Sequence, residues 1–114
     1  MRRPLVLLAA AAMTATAAVA VPALAATKAV KVGDNFFVTK SGVPTVTVKK
    51  NDTVKWNFTG EKPHNVTVKS GPAKFHSKDM KSGSYSKKLT RKGLYTLYCT
   101  IHGQGDQSMK LRVK

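Results

Sequence analysis

Beyond residue 26 the chain is written in short stretches where apolar and polar residues alternate. Lys28–Val32, Thr45–Lys49, Thr53–Phe58 and Asn65–Lys69 each place apolar side chains two positions apart, the period of a strand with one face in a core. Gly33-Asp34-Asn35, Lys50-Asn51-Asp52, Gly60-Glu61-Lys62-Pro63 and Ser70-Gly71-Pro72 interrupt these runs with residues that favour turns. Tyr85–Leu89 reads as a weaker strand, and Gly93 leads into Leu94–Cys99. Met109–Val113 closes the series, with Leu111 and Val113 on one face and Lys110 and Arg112 on the other. No stretch after residue 26 carries helical periodicity. Short strands spaced by turn signals about every eight to twelve residues predict an all-β domain, a sandwich or a barrel.

The first segment follows a different logic. Arg2 and Arg3 precede an uncharged, alanine-rich apolar run from Leu5 to Val21, which Pro22 ends. Ala23-Leu24-Ala25 then supplies small residues where a signal peptidase reads them. The layout predicts a secretory signal peptide over residues 1–25, cleaved after Ala25, with one domain over residues 26–114. An uncleaved membrane anchor is the alternative, since the run approaches the ~20 residues that span a bilayer, but its alanine content makes it a weak one. No cysteine lies near the cleavage site, so a lipoprotein is excluded.

Composition narrows the remainder. The 114 residues include 20 Lys and Arg against 5 Asp and Glu, a formal charge of +15. All but two of the basic residues lie beyond Ala25. One small domain fits this length and a two-domain enzyme does not. Cys99 is the one cysteine, so no intrachain disulfide can brace an exported domain of a size that often needs one. A metal is the obvious substitute.

The chemistry sits at two places. Pro63-His64-Asn65 opens one strand, and Cys99-Thr100-Ile101-His102 follows the end of another. Loops at one end of a sandwich cluster, so these segments can meet, with His64 expected to close the site from the other sheet. Two imidazoles and a thiolate make the His₂Cys set of a blue-copper centre, normally completed by a weak axial ligand. Thiolate suits Cu(I) and imidazole also serves Cu(II), so one site can hold both states. Zinc accepts the same donors, although the Cys-x2-Cys knuckles of structural zinc sites are missing. Taken singly, Cys99 could be a free thiol or an intermolecular bridge, and His64 a solvent-exposed loop residue. His76 lies in a lysine-rich loop without a partner motif and reads as a surface residue. Met80, in a polar loop, receives no role. No Ser/His/Asp set or phosphate-binding glycine loop is present, so the chain does not read as an enzyme.

These motifs resemble the cupredoxins, in particular plastocyanin, amicyanin and pseudoazurin, over most of the chain after residue 26. Asp34-Asn35-Phe36-Phe37 is similar to the family's first-strand exit, and Asp52-Thr53-Val54-Lys55-Trp56 to its Thr-Val-x-Trp strand. Pro63-His64-Asn65-Val66 resembles the first-ligand loop, and Gly93 to His102 resembles the strand and loop that carry the next two ligands. The resemblance implies a Greek-key β-sandwich with one copper ion held by His64, Cys99 and His102. Asn65 would brace the ligand loops through hydrogen bonds. The implied function is an exported one-electron carrier, with His102 presenting its ring edge as the short electron route. Tyr98 points opposite to Cys99 on its strand and reads as an exposed aromatic or as part of a longer route. Copper storage or delivery in the envelope is the competing function, disfavoured because only Met80 and Met109 follow the signal segment.

The axial position departs from the family pattern. Relatives place Met five residues beyond the second His, where this chain has Gln107, and Met109 comes two residues later. Parity does not separate them, because 107 and 109 face the same side of a strand. Length favours Gln107, since Ser108–Lys114 supplies the family's usual final strand. Gln is an accepted axial ligand. Met109 remains the alternative if the Gly103-Gln104-Gly105 loop bulges. As for partners, lysines spread over many strands and loops would steer encounter with an acidic redox protein or an anionic envelope surface, an attraction that salt weakens. Nucleic acid and a small-molecule substrate are not expected, and the protein is expected to be a monomer.

Overall fold

The computed structural model describes residues 24–39, 42–103 and 105–114. The expected signal peptide lies outside them except for Leu24 and Ala25. Eight strands form: β1 (Thr27–Gly33), β2 (Phe36–Phe37), β3 (Thr45–Val48), β4 (Thr53–Phe58), β5 (Thr67–Ser70), β6 (Gly83–Lys88), β7 (Gly93–Tyr98) and β8 (Ser108–Val113). They build two four-stranded sheets in the orders β2-β1-β4-β6 and β3-β8-β7-β5. β1 runs parallel to β4 and β3 parallel to β8, and the remaining pairs are antiparallel. This is the expected all-β sandwich.

Seven of these strands match the alternating runs. The eighth, β2, is a two-residue return in which Phe37 pairs with Val32, too short for a period to register. β5 starts two residues later than expected, because the Val66 N–H donates to Ser77 Oγ at 2.9 Å and not to a strand. β6 carries Lys87 and Lys88 on an exposed edge, a composition that resists pairing with another chain.

Alternation places the core between the sheets. Val30, Val32, Phe37, Val54, Trp56 and Phe58 face Val46, Val48, Tyr95, Leu97, Met109, Leu111 and Val113, all buried. Trp56 lies at the centre, with its indole N–H donating to Met109 Sδ at 3.5 Å across the sheets. The outward positions hold Lys31, Lys55 and Lys88 on one sheet and Lys69, Lys110 and Arg112 on the other. No strand contains an acidic residue.

The pole where β1 begins is fixed by Asp52, whose carboxylate accepts from the Ala26 N–H and the Lys49 N–H, each at 2.9 Å. Those two backbone bonds hold its pKa below the ordinary carboxylate value. A group whose folded pKa is depressed contributes stability above its unfolded pKa, and loses it as pH falls through the folded one. Asp52→Asn can accept through only one oxygen. It should therefore be less stable than the parent at neutral pH, with the gap closing in urea titrations run below about pH 4.

Candidate metal centre

At the opposite pole, the ligand-type atoms of His64, Cys99 and His102 lie within 4.8 Å of one another. His64 and Cys99 are fully buried, and His102 is half-buried. The two imidazole rings stand 4.8 Å apart at 38°, and Cys99 Sγ is 3.5 Å from His102 Nδ1. The structure thus brings together the three residues singled out from the sequence.

His64 and Cys99 are held by backbone. His64 forms an isolated antiparallel bridge with Met80, donating to its carbonyl at 2.9 Å and accepting from its N–H at 2.8 Å. Cys99 follows β7, donates to the Gln107 carbonyl at 3.1 Å and accepts from the Gly103 N–H at 2.8 Å. Gly103 turns the loop with φ +86°, a conformation open to glycine and unfavourable to most other residues. Its carbonyl then accepts the Gln107 N–H at 3.1 Å, which closes the Cys99–Gln107 loop into a tight unit.

His64, expected to close the site from the other sheet, lies in the connection between β4 of one sheet and β5 of the other, and its bridge to Met80 is outside the named strands of both. Asp34, in the turn between β1 and β2, places its Oδ1 2.8 Å from His64 Nε2. Asp34 also accepts from the Glu61 and Lys62 N–H groups at 3.1 Å. These bonds, that from His64 foremost, pull its pKa to about 2. Sequence reading passed over Asp34 as turn punctuation. The available signal was an acid between two apolar runs in a chain with only five. Met80 was likewise given no role, because it acts through its backbone, which a side-chain motif cannot reveal.

Asn65 ties the two ligand segments together. Its Oδ1 accepts from the Thr100 N–H at 3.1 Å and from Thr67 Oγ1 at 2.9 Å. Its Nδ2 donates to Asp79 Oδ1 at 2.9 Å and Thr100 Oγ1 at 2.8 Å. His76 is exposed, and Tyr98 is half-buried on the outer face under the Lys69 ammonium at 6.0 Å.

Gln107 and Met109 are both buried but differ in what they touch. Gln107 Nε2 donates to the Gly33 and Phe36 carbonyls at 3.0 and 2.9 Å. Two backbone acceptors fix the orientation of its amide, leaving Oε1 without a partner. Met109 sits opposite Leu97 in the β7–β8 ladder with its sulfur on the Trp56 indole. His64 Nδ1 is the other buried side-chain N or O atom without a partner among the described residues. Leaving such atoms unpaired costs about 1–3 kcal/mol each. Two orphaned acceptors at the pole that holds a thiol and a second imidazole fit a metal with soft and borderline preferences.

Comparison with known proteins agrees with this geometry. The profile of copper-binding proteins of the plastocyanin/azurin family matches residues 26–114. Amicyanin-alpha of Methylorubrum extorquens strain AM1 is 36% identical over 101 residues, covering 81% of this chain and 83% of that protein. A solved methionine-to-glutamine variant of amicyanin with Cu(I) superposes with a TM-score of 0.64 at 29% identity, over 77% of this chain and 82% of that one. A proline-to-glycine variant in its reduced Cu(I) form gives 0.63 at 28% identity, over 82% and 86%.

Asn65→Ala would remove four hydrogen bonds and leave the Thr100 N–H unpaired. The metal-free variant should lose about 1–3 kcal/mol in urea denaturation, and amide exchange at Thr100 should accelerate selectively.

Proposed function

The chain belongs to the plastocyanin/azurin family of copper-binding proteins, the cupredoxins, and on that premise we propose that it is an exported carrier of single electrons. The observation that carries this reading is the pair of orphaned acceptors, His64 Nδ1 and Gln107 Oε1, at the pole that holds Cys99 and His102. His64, Cys99 and His102 would hold one copper ion, with Gln107 Oε1 as the axial donor. When bound, copper supplies a one-electron couple between Cu(II) and Cu(I). The residues supply the rest. The Cys99–Gln107 loop and the His64–Met80 bridge keep the donors in one arrangement for both states. Burial of His64 and Cys99 excludes water, and half-buried His102 gives the nearest approach for a partner. The protein takes one electron from a reduced partner and passes it to an oxidised one, with no bond made or broken in either.

Supporting Gln107 over Met109 is the prior engagement of the Met109 sulfur with Trp56. Copper storage or delivery finds little support in methionine chemistry, because Met109 is engaged through its sulfur and Met80 is the one other methionine beyond residue 26. The basic outer faces of both sheets suit an acidic redox protein or an anionic envelope surface, with attraction that salt screens. Residues 1–25 would be removed on export, leaving Ala26 to start the mature chain.

Cys99→Ser should abolish the intense visible thiolate-to-copper band of the loaded protein, and a band that survives would refute the site. Gln107→Leu should change the spectrum and raise the reduction potential, since it removes an oxygen that favours Cu(II). Met109→Leu should leave both nearly unchanged while costing about 1–3 kcal/mol of stability, because it removes the acceptor of the buried Trp56 N–H. The reverse pattern in voltammetry and absorption would assign the axial role to Met109.

A further inference from the structure

Asp34 does more at this pole than anchor a turn. A carboxylate offers its oxygens as acceptors, and the Glu61 and Lys62 N–H groups that donate to Asp34 hold it in that role. The 2.8 Å contact therefore requires the proton of a neutral His64 imidazole to sit on Nε2. Nδ1 is left with its lone pair, and this is the buried atom without a partner. The carboxylate is itself restrained, by the N–H groups of Glu61 and Lys62. The loop that supplies them passes so close that a Cβ on Gly60 would collide with the Asp34 carboxylate. Neighbouring Asn35 takes φ 65°, which turns the chain back into β2.

We propose that Asp34 is a positioning residue that sets the redox bias of the centre, presenting His64 as an electron-rich Nδ1 donor and thereby favouring Cu(II) over Cu(I). The inference rests on the reading of His64 as a copper ligand. Its physical basis is that a carboxylate sharing the outer N–H of an imidazole raises the basicity of the inner nitrogen. The fixed negative charge also stabilises the more highly charged ion. Because the clamp comes from the β1–β2 turn while His64 comes from the β4–β5 connection and Cys99 and His102 follow β7, it lies outside the ligand motifs and can vary separately from them.

The test uses the copper-loaded protein and its Asp34→Asn variant. Asparagine keeps an oxygen for the Nε2–H and removes the charge. The blue band should persist while the Cu(II)/Cu(I) affinity ratio falls about tenfold, read in voltammetry as a potential higher by ~59 mV. A folded, blue variant whose potential equals that of the parent overturns the role of Asp34 and leaves the copper reading intact. A parent protein that takes up copper without a blue band overturns both. A measurement that needs no variant is the nitrogen-detected tautomer of His64 in the metal-free parent. The Nε2–H form is expected, and a predominant Nδ1–H form overturns the proposal even if the variant does not fold.

Discussion

A β-sandwich of this size can bury two imidazoles, a thiol and a carboxamide at one end only if the other polar atoms there are paired. Unpaired groups in an apolar surrounding cost enough to erase a small domain's stability. That constraint organises the pole around Cys99. Asn65 meets Thr67, Asp79 and Thr100, the Met80 backbone meets His64, and Asp34 collects the imidazole and two loop amides. Among the described residues, the buried side-chain N and O atoms left unpaired are His64 Nδ1 and Gln107 Oε1. The economy is functional, because a centre that changes charge by one unit works best where donors are already fixed and do not reorganise.

Most strands were legible in the sequence because they have one wet and one dry face, and such alternation survives in a single chain without any comparison; β6, with no buried residue, was the weakest of those read. The three residues at the pole were legible for a different reason: a lone cysteine followed three residues later by histidine, with a second histidine opening a strand, has few structural uses together. What escaped was contact made by backbone or by turns. β2 is too short to show a period, Met80 acts through its amide and carbonyl, and Asp34 reaches His64 across 30 positions by a path that only the stacking of the two sheets creates. His64 stands in the connection between strands of different sheets, held by a backbone bridge to Met80 that no side-chain motif announces.

Charge is segregated as clearly as polarity. All five acids lie in turns and loops, where Asp34, Asp52 and Asp79 are occupied by hydrogen bonds, while the strands present only lysine and arginine outward. The same substitutions that would make the exterior less basic, an acid introduced on Lys55 or Lys110, leave the pole around Cys99 untouched.

The parallel pairing of β3 with β8 also bears on how the molecule is made. β8 is an inner strand, flanked by β3 and β7, so β3 has no hydrogen-bonding neighbour in its sheet until nearly all the following chain has been synthesised. Chain closure over such separations slows folding relative to structures built from local contacts. A chain emerging amino end first therefore cannot complete this sheet until β8 appears, and β3 stays without a strand partner until then.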